Sequence, residues 1–375
     1  MKFGFDGKRA ANNETGLGNY SRALISQLSD FFHQNQYLVY TSKVKQSRQI
    51  TSFFSDKRIQ LKFPNKSSTS ILWRSFGIKR QLQKDKIDIF HGLSNEIPFG
   101  MKTGKIKTVV TIHDLIFFRF PKNYKFIDRQ IYNFKSRYAC ENADLIIAIS
   151  EKTKQDIIEF YQIAPEKIKV VYQTCDDSFK RQAREEFKSS VRQKYRLPQK
   201  YILNVGTIEP RKNLLLLVQA MKNVQADHQL VVVGKSKAYA QLVRSEIKKL
   251  GLEDRVIFLK DIPFTDLPAI YQMAAVFVYP SFYEGFGIPI IEALYGSIPV
   301  VAATGSCLEE AGGPASIYID PNDPVTLANA INSILSRPDL AKEMIEKGLA
   351  HVQQFNTAQV AAELMDCYLN IPPKM

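Results

Sequence analysis

Two glutamates eight residues apart, Glu284 and Glu292, bracket a glycine-rich turn in the stretch Tyr279-Pro280-Ser281-Phe282-Tyr283-Glu284-Gly285-Phe286-Gly287-Ile288-Pro289-Ile290-Ile291-Glu292-Ala293-Leu294. Carboxylates at such a place can accept hydrogen bonds from hydroxyl groups of a ligand. Gly285 and Gly287, with Phe286 between them, free the backbone to turn tightly and let a ligand approach closely. Pro289 suits the first turn of a helix, and Gly296 is a suitable stop. If the whole span were helical, the two carboxylates would lie about 12 Å apart along the axis. That is roughly the reach of a nucleotide sugar from hexose to ribose. The N–H groups of a helix start between them favour an anion. A donor with a diphosphate in its middle and hydroxyls at both ends matches this layout. Glu292 stands among Ile290, Ile291, Ala293 and Leu294, so partial burial and a polar partner are expected. Either glutamate alone reads as a solvated surface group, and the surrounding glycines reverse that reading.

A second stretch supplies positive charge. Gly206-Thr207-Ile208-Glu209-Pro210-Arg211-Lys212-Asn213 follows the apolar run Tyr201–Val205. Adjacent Arg211 and Lys212 after a strand and turn can neutralise a diphosphate, although such pairs also occur on plain surfaces. Near the start, Thr15-Gly16-Leu17-Gly18-Asn19-Tyr20 follows the short strand Lys2–Asp6. A strand, a glycine loop and a helix start can cradle phosphate on backbone N–H groups. Gly16 is the candidate there, and Gly18 reads as a structural turn residue. Two histidines end predicted strands, His91 and His113. His91 reads as a satisfied packing residue and Asp114 as a group that orients local backbone. No histidine pair and no Asp-x-Asp occurs, so no metal site is expected. Cys140, Cys175, Cys307 and Cys367 have neither metal nor disulfide spacing and read as reduced thiols of a cytosolic protein.

The segment PSFYEGFGIPIIEA closely resembles the Glu-x7-Glu signature of retaining family 4 glycosyltransferases of the GT-B fold. The resemblance implies Glu284 on the donor-sugar hydroxyls and Glu292 on the nucleotide ribose. VGTIEPRKNL resembles the family's phosphate-binding loop, with Lys212 on its lysine. Many members have arginine where Thr207 stands, and Arg211 is expected to replace that charge. TVVTIHDL resembles the family strand ending in His-Asp, which implies that His113 reaches the donor sugar and the acceptor. The loop at Gly16 would face the donor diphosphate, and Ile262 would offer backbone atoms to the nucleotide base. The segment Thr304–Glu310 resembles a family loop near the donor, with Glu310 on its usual glutamate. The implied chemistry is transfer of a hexose from a nucleotide sugar with retention. The departing phosphate takes the acceptor proton, and neither a metal nor a further cofactor takes part. Glu284 then positions the sugar and is not a glycosidase-type nucleophile. VGTIEPRKN is also similar to bacterial mannosyltransferases that use GDP-mannose to build surface polysaccharides. That favours GDP-mannose over UDP-sugars, with a glycan or polyprenyl-diphosphate-linked acceptor.

The elements that must position these residues read as α/β. At 375 residues the chain is long for one core and suggests two domains. Strands are expected at Tyr37–Thr41, Ile59–Phe63, Ile87–Phe90, Lys107–Ile112 and Asp144–Ile149, with a helix around Ile71–Gln83. The pattern repeats in the second half at Tyr201–Val205, Leu230–Val233, Val256–Leu259, Ala275–Tyr279 and Pro299–Ala302. Two doubly wound parallel sheets facing a cleft follow, with ligands at the strands' carboxyl ends. The expected domains are 1–175 for the acceptor, a polar linker 176–198, and 199–355 for the nucleotide sugar. A last helix within 356–375 is expected to cross back to the first domain.

Net charge is +14, and residues 1–180 hold 30 Lys+Arg against 17 Asp+Glu. An anionic partner for that half is expected, such as an acidic lipid surface, a polyprenyl diphosphate or nucleic acid. The stretch Arg119–Tyr138 mixes aromatic and basic residues. Ile127, Ile131, Phe134 and Tyr138 fall on one helical face and read as core, leaving other aromatics and the cations for a lipid interface. No apolar run is long enough to span a membrane, and the start MKFGFDGKRA turns polar too early for a signal peptide. The expected location is cytoplasmic, peripheral to the inner face of the cell membrane. Two competing readings are a sugar-nucleotide 2-epimerase on the same fold and a non-catalytic nucleic-acid binder. The first lacks a clear set of further acid/base carboxylates, and the second lacks any recognised module.

Overall fold

The computed structural model describes residues 1–64 and 72–373. The chain divides into two compact units, Met1–Gln173 with Thr357–Met375, and Thr174–Asn356. In the first unit the strands are β1 (Lys2–Asp6), β2 (Gln36–Tyr40), β3 (Ile59–Lys62), β4 (Ile89–Gly92), β5 (Lys107–Ile112), β6 (Leu145–Ala148) and β7 (Ile168–Val170). They form one sheet in the order β3-β2-β1-β4-β5-β6-β7, with parallel pairing throughout. Parallel strands are covered on both faces, so they read as nearly continuous apolar runs. The period of two then sorts side chains between two cores. Phe3, Phe5, Tyr37, Val39, Val109 and Ile147 face one, while Leu38, Tyr40, Phe90, Val110, Ile146 and Ala148 face the other. The first of these cores includes Leu24, Ile25 and Leu28 of the helix Gly16–Phe31 and Leu364 and Tyr368 of the final helix Thr357–Leu369.

The second unit holds β8 (Tyr201–Val205), β9 (Gln229–Val233), β10 (Val256–Leu259), β11 (Val276–Tyr279), β12 (Val300–Ala303) and β13 (Ile317–Ile319). Their order is β10-β9-β8-β11-β12-β13, again parallel. Each sheet starts near its centre, runs to one edge and then restarts beside the first strand. The reversal falls between β1 and β4 in one sheet and between β8 and β11 in the other. Such points open a crevice at the carboxyl ends, because the two connections leave in opposite directions.

Three readings of the sequence change. The stretch 176–198 is packed into the second unit and is not a free linker. Phe179 is fully buried beside Tyr271, and the helix Glu185–Tyr195 buries Val191 and ties to Asp266 through Lys194 and Tyr195. Few apolar residues suffice there because one face of a short helix is all that packs. The face of Ile127, Ile131 and Phe134 is exposed, at 71%, 45% and 61%. The helix Phe126–Asn142 instead buries the small residues Ser136, Ala139 and Cys140, which let it lie close to its neighbours. Tyr138, the fourth residue of that stripe, is half-buried against the core, so the reading holds at the end of the helix and fails for the other three. The expected helix around Ile71–Gln83 is described from Leu72 onward, as a π-type turn Trp73–Gly77 leading into Ile78–Lys84; Ile71 lies outside the described residues.

Candidate active site

The crevice between β8 and β11 gathers the charged candidates of the second unit. Gly206 follows β8 with φ +157°, and a tight turn Pro210–Lys212 comes next. Asn213 closes that turn at φ +55°, anchored by its amide to the Pro321 carbonyl at 2.7 Å. The Phe282 N–H donates to the Arg211 carbonyl at 2.9 Å, which ties this turn to the chain leaving β11. Glu284 is thereby placed between both cations. Its Oε2 lies 2.7 Å from Arg211 Nη1 and its Oε1 2.5 Å from Lys212 Nζ. Lys212 also donates to the Tyr279 hydroxyl at 2.5 Å, and Arg211 to the Tyr283 carbonyl at 2.5 Å. Glu209 pairs with Arg211 at 3.0 Å and with Lys237.

Burial alone would raise the pKa of Glu284, but Lys212 and Arg211 outweigh it and hold the carboxyl down at about 2. Lys212 is likewise disfavoured by burial, yet Glu284 keeps its pKa above the ordinary 10.5. The cluster is therefore ionised, with its cations held rigidly against one carboxylate. The Cys307 thiol sits 3.0 Å from the Glu284 carbonyl and 2.6 Å from that of Phe286, bracing the turn from below. The Phe286 ring is buried against Phe355, so the turn can present only main chain from that residue. Gly287 has φ +148°, and a Cβ there would press on Ala311 at 3.0 Å. The helix itself starts at Ile288 and runs to Tyr295, with Pro289 in its first turn. Glu284 thus precedes the helix, and the fully helical spacing considered for the two glutamates does not apply.

Glu292 lies inside that helix, 9% exposed, and accepts a hydrogen bond from the Tyr271 hydroxyl at 2.8 Å. Burial pushes its pKa up to about 8, partly opposed by Tyr271. The two glutamates therefore have opposite character, one a paired anion and one a carboxyl poised near neutrality. Ile262 is half-buried in the loop after β10, beside Asp261 at φ +52°. Glu310 is half-buried on the short helix Leu308–Gly312, and its carbonyl faces His351 Nε2 at 3.1 Å.

The remaining candidates stand in the first unit. His113 follows β5 and is buried, with Nε2 at 2.9 Å from the Leu93 carbonyl and Nδ1 at 3.3 Å from the Gln173 amide nitrogen. Those partners fix the proton on Nε2 and leave Nδ1 as acceptor. Burial lowers its pKa to about 4, so the ring is neutral. Tyr20 packs edge-on against it at 4.6 Å. His91 is bonded on both nitrogens, to the Tyr368 hydroxyl at 2.6 Å and to Thr111 Oγ1 at 2.8 Å, as befits a packing residue. A Cβ on Gly16 would meet nothing within 4 Å, whereas one on Gly18 would strike the Asn13 carbonyl oxygen at 1.8 Å. The first glycine borders open space and the second is required by packing.

Tyr279, Tyr271 and Cys307 are the polar supports that motif reading left unassigned. Tyr279 had one usable signal, its place at the end of a strand immediately before the glutamate turn. Cys307 lies in the segment Thr304–Glu310, whose resemblance pointed to the donor without singling out the thiol, and Tyr271 carries no sequence signal.

Residues 15–179 match the model of Glycosyltransferase Family 4, and residues 186–351 match Glycosyl transferases group 1. The chain is a glycosyltransferase, with one of these two models on each of its halves. The O-antigen chain mannosyltransferase B of Escherichia coli is 29% identical over 372 residues, covering 94% of this chain and 96% of that one. The O-antigen chain mannosyltransferase RfbU of Salmonella typhimurium is 29% identical over 230 residues, 61% of each chain. Among solved structures, Anabaena HepE in complex with UDP and glucose superposes with a TM-score of 0.76 at 18% identity, over 98% of this glycosyltransferase and 99% of that chain. The sucrose-phosphate synthase of Thermosynechococcus elongatus gives 0.78 at 21%, over 98% of each chain. Both likenesses place the glycosyltransferase in the GT-B fold.

Proposed function

We propose that this glycosyltransferase moves mannose from GDP-mannose, with retention and without a metal, onto a growing lipid-linked glycan. The observation that carries the reading is the Arg211–Lys212–Glu284 cluster at the carboxyl ends of β8 and β11. Cleaving a nucleotide sugar leaves a diphosphate, and two adjacent cations are the groups that stabilise such developing charge. They are held ready by Glu284, which a bound diphosphate would release toward the sugar hydroxyls. Glu292 with Tyr271 offers hydroxyl-binding groups for the ribose, and main chain at Gly285, Phe286, Gly287 and Ile262 would complete the donor contacts. His113 is neutral, and its Nδ1 would accept from a sugar hydroxyl in place of the Gln173 amide. Gly16, bordered by open space, suits close approach of the diphosphate. The choice of mannose follows the O-antigen mannosyltransferases named above.

The lipid-linked acceptor is supported by the surface of Phe126–Asn142. Phe126, Ile127, Ile131, Tyr132 and Phe134 are all exposed there, beside Lys122, Lys125 and Arg129. Apolar side chains next to cations suit an anionic membrane surface. No described helix is long and apolar enough to cross a membrane. The reading is tested by incubating the full chain with GDP-mannose and a polyprenyl-diphosphate-linked glycan in the presence of EDTA. An α-mannosylated product with the donor's anomeric configuration, read by NMR, is expected. Inverted product, or transfer only from UDP-sugars, would overturn the corresponding part.

A further inference from the structure

The strand β5 ends at Ile112, and its last rung with β4 pairs Val110 with Gly92. His113 and Asp114 lie beyond the sheet, yet their main chain is held at several points. Most of these contacts come from the turn at 92–96, which closes β4. Asn95 uses both ends of its side-chain amide. Its Oδ1 accepts from the His113 N–H at 2.9 Å, and its Nδ2 donates to the Asp114 carbonyl at 3.1 Å. Its own N–H donates to the Thr111 carbonyl at 2.9 Å, which joins the turn to β5 just before the histidine. The same turn holds the ring, because the Leu93 carbonyl accepts from Nε2 at 2.9 Å. Thr153, on the helix Glu151–Tyr161, donates to the His113 carbonyl at 3.4 Å. With Gln173 at Nδ1, every polar atom of His113 has a fixed partner.

The turn is fixed from both sides. A Cβ on Gly92 would strike the Glu96 carbonyl oxygen at 2.2 Å, so the fold-back needs glycine there. Glu96 anchors the far end, paired with Arg74 at 2.6 Å, Lys135 at 2.9 Å and Lys8 at 3.2 Å. Asn95 between them stands at φ +57°, a left-handed conformation that asparagine tolerates better than most residues. A backbone angle of this kind persists where its surroundings over-determine it, and functional sites are common among such places. An amide is also the one side chain that answers both groups it meets. Aspartate could take the His113 N–H but would set an oxygen against the Asp114 carbonyl, and an apolar side chain would leave both groups without it. With Nε2 tied to Leu93, Nδ1 is left facing the Gln173 amide, where the exchange with a sugar hydroxyl takes place. We propose that Asn95 is a positioning residue for sugar transfer, its amide clasping the main chain of His113 and Asp114 and so aiming the His113 ring at the donor sugar; this rests on the transfer reading above. Asn95 acts through the histidine and not on the substrate.

The variant Asn95→Gly removes the amide and keeps the turn, because glycine adopts a positive φ at no steric cost. Two measurements on the full chain test the proposal. The first is ring 15N NMR of His113, assigned by comparison with His113→Gln. Wild type is expected to show a neutral ring with its proton on Nε2 between pH 5.5 and 8, and Asn95→Gly a mixture of the two neutral tautomers. The second is steady-state transfer from GDP-mannose to a polyprenyl-diphosphate-linked glycan. In Asn95→Gly kcat should fall about tenfold or more, on the scale of a misplaced reacting group, with the donor KM within about twofold of wild type. The same tautomer in both proteins, a wild-type kcat in Asn95→Gly, or a donor KM that rises as far as kcat falls would overturn the proposal. A tautomer that responds as expected in a chain that transfers no sugar would support Asn95 as the group that orients His113 and count against the transfer reading.

Discussion

The two sheets are wound alike, yet their reversal points are furnished differently. Between β8 and β11, two adjacent cations share one carboxylate, and glycines with positive φ lie on either side. Between β1 and β4, three cations and two carboxylates are matched against an aromatic wall. Strand order decides where a ligand can enter, since both crevices follow from the same reversal. Side-chain chemistry sets what each crevice suits, and the adjacent cations of the second unit suit an anion.

The largest effect is expected at the phosphate grip. Lys212→Ala should lower kcat by more than ~100-fold, the scale for losing one stabiliser of transition-state charge. Arg211→Ala should cost less if Lys212 carries most of the load. Near-normal kcat in Lys212→Ala would remove that lysine from the mechanism.

Next come the two glutamates. Glu284→Ala should lower kcat, because it orients the sugar at the reacting centre. Glu292→Ala should mainly raise the donor KM, since the ribose lies far from the bond that breaks. Steady-state kinetics with varied donor separate these outcomes, and a change confined to KM in both variants would sink the role given to Glu284.

A smaller effect concerns pH. Folded Glu292 keeps its proton up to about 8, while the unfolded chain releases it near 4.5. The folded state then binds more protons between those values, so this group's contribution to stability falls as pH rises from 4.5 to about 8. Glu284 acts in the opposite sense. Its pKa drops from 4.5 to about 2, so its contribution is present above 4.5 and lost as pH falls toward 2. Thermal melts between pH 5 and 8.5 should show a shallower decline in Glu292→Gln than in wild type. Equal slopes would mean that Glu292 is ionised throughout.

The smallest expected effect is membrane docking. Each lysine or arginine near an anionic surface contributes ~1 kcal/mol, so changing Lys122, Lys125 and Arg129 to Glu should weaken co-sedimentation with anionic vesicles. Salt should weaken it as well, and the aromatic contribution should persist. Equal binding to neutral and anionic vesicles would leave this surface an ordinary solvated one.

Much of this organisation was legible in the sequence, for identifiable reasons. Buried parallel strands announce themselves as apolar runs, and β5, β8 and β10 fall where those runs predict. Arg211, Lys212 and Glu284 were legible as residues, but their mutual contact was not, because 72 residues separate Arg211 from the carbonyl it holds at Tyr283. The outward face of Phe126–Asn142 was misread because periodicity gives a stripe and not its direction. The cluster at Asp6, Arg74 and Glu96 had no local signature at all. Its parts come from a strand end, a π-type turn and a loop, and only the sheet order brings them together.

The most direct test of the account is a thermal-shift titration of the full chain with GDP-, UDP- and ADP-sugars, run in parallel on wild type and Lys212→Ala. A ligand that binds only the folded state stabilises it by about 2.7 kcal/mol at a hundredfold excess over Kd. A saturable upward shift of Tm is expected with GDP-mannose in wild type and a much smaller one in Lys212→Ala. An equal shift in both proteins, or none with any nucleotide sugar, would contradict the assignment of the β8–β11 crevice as the donor site.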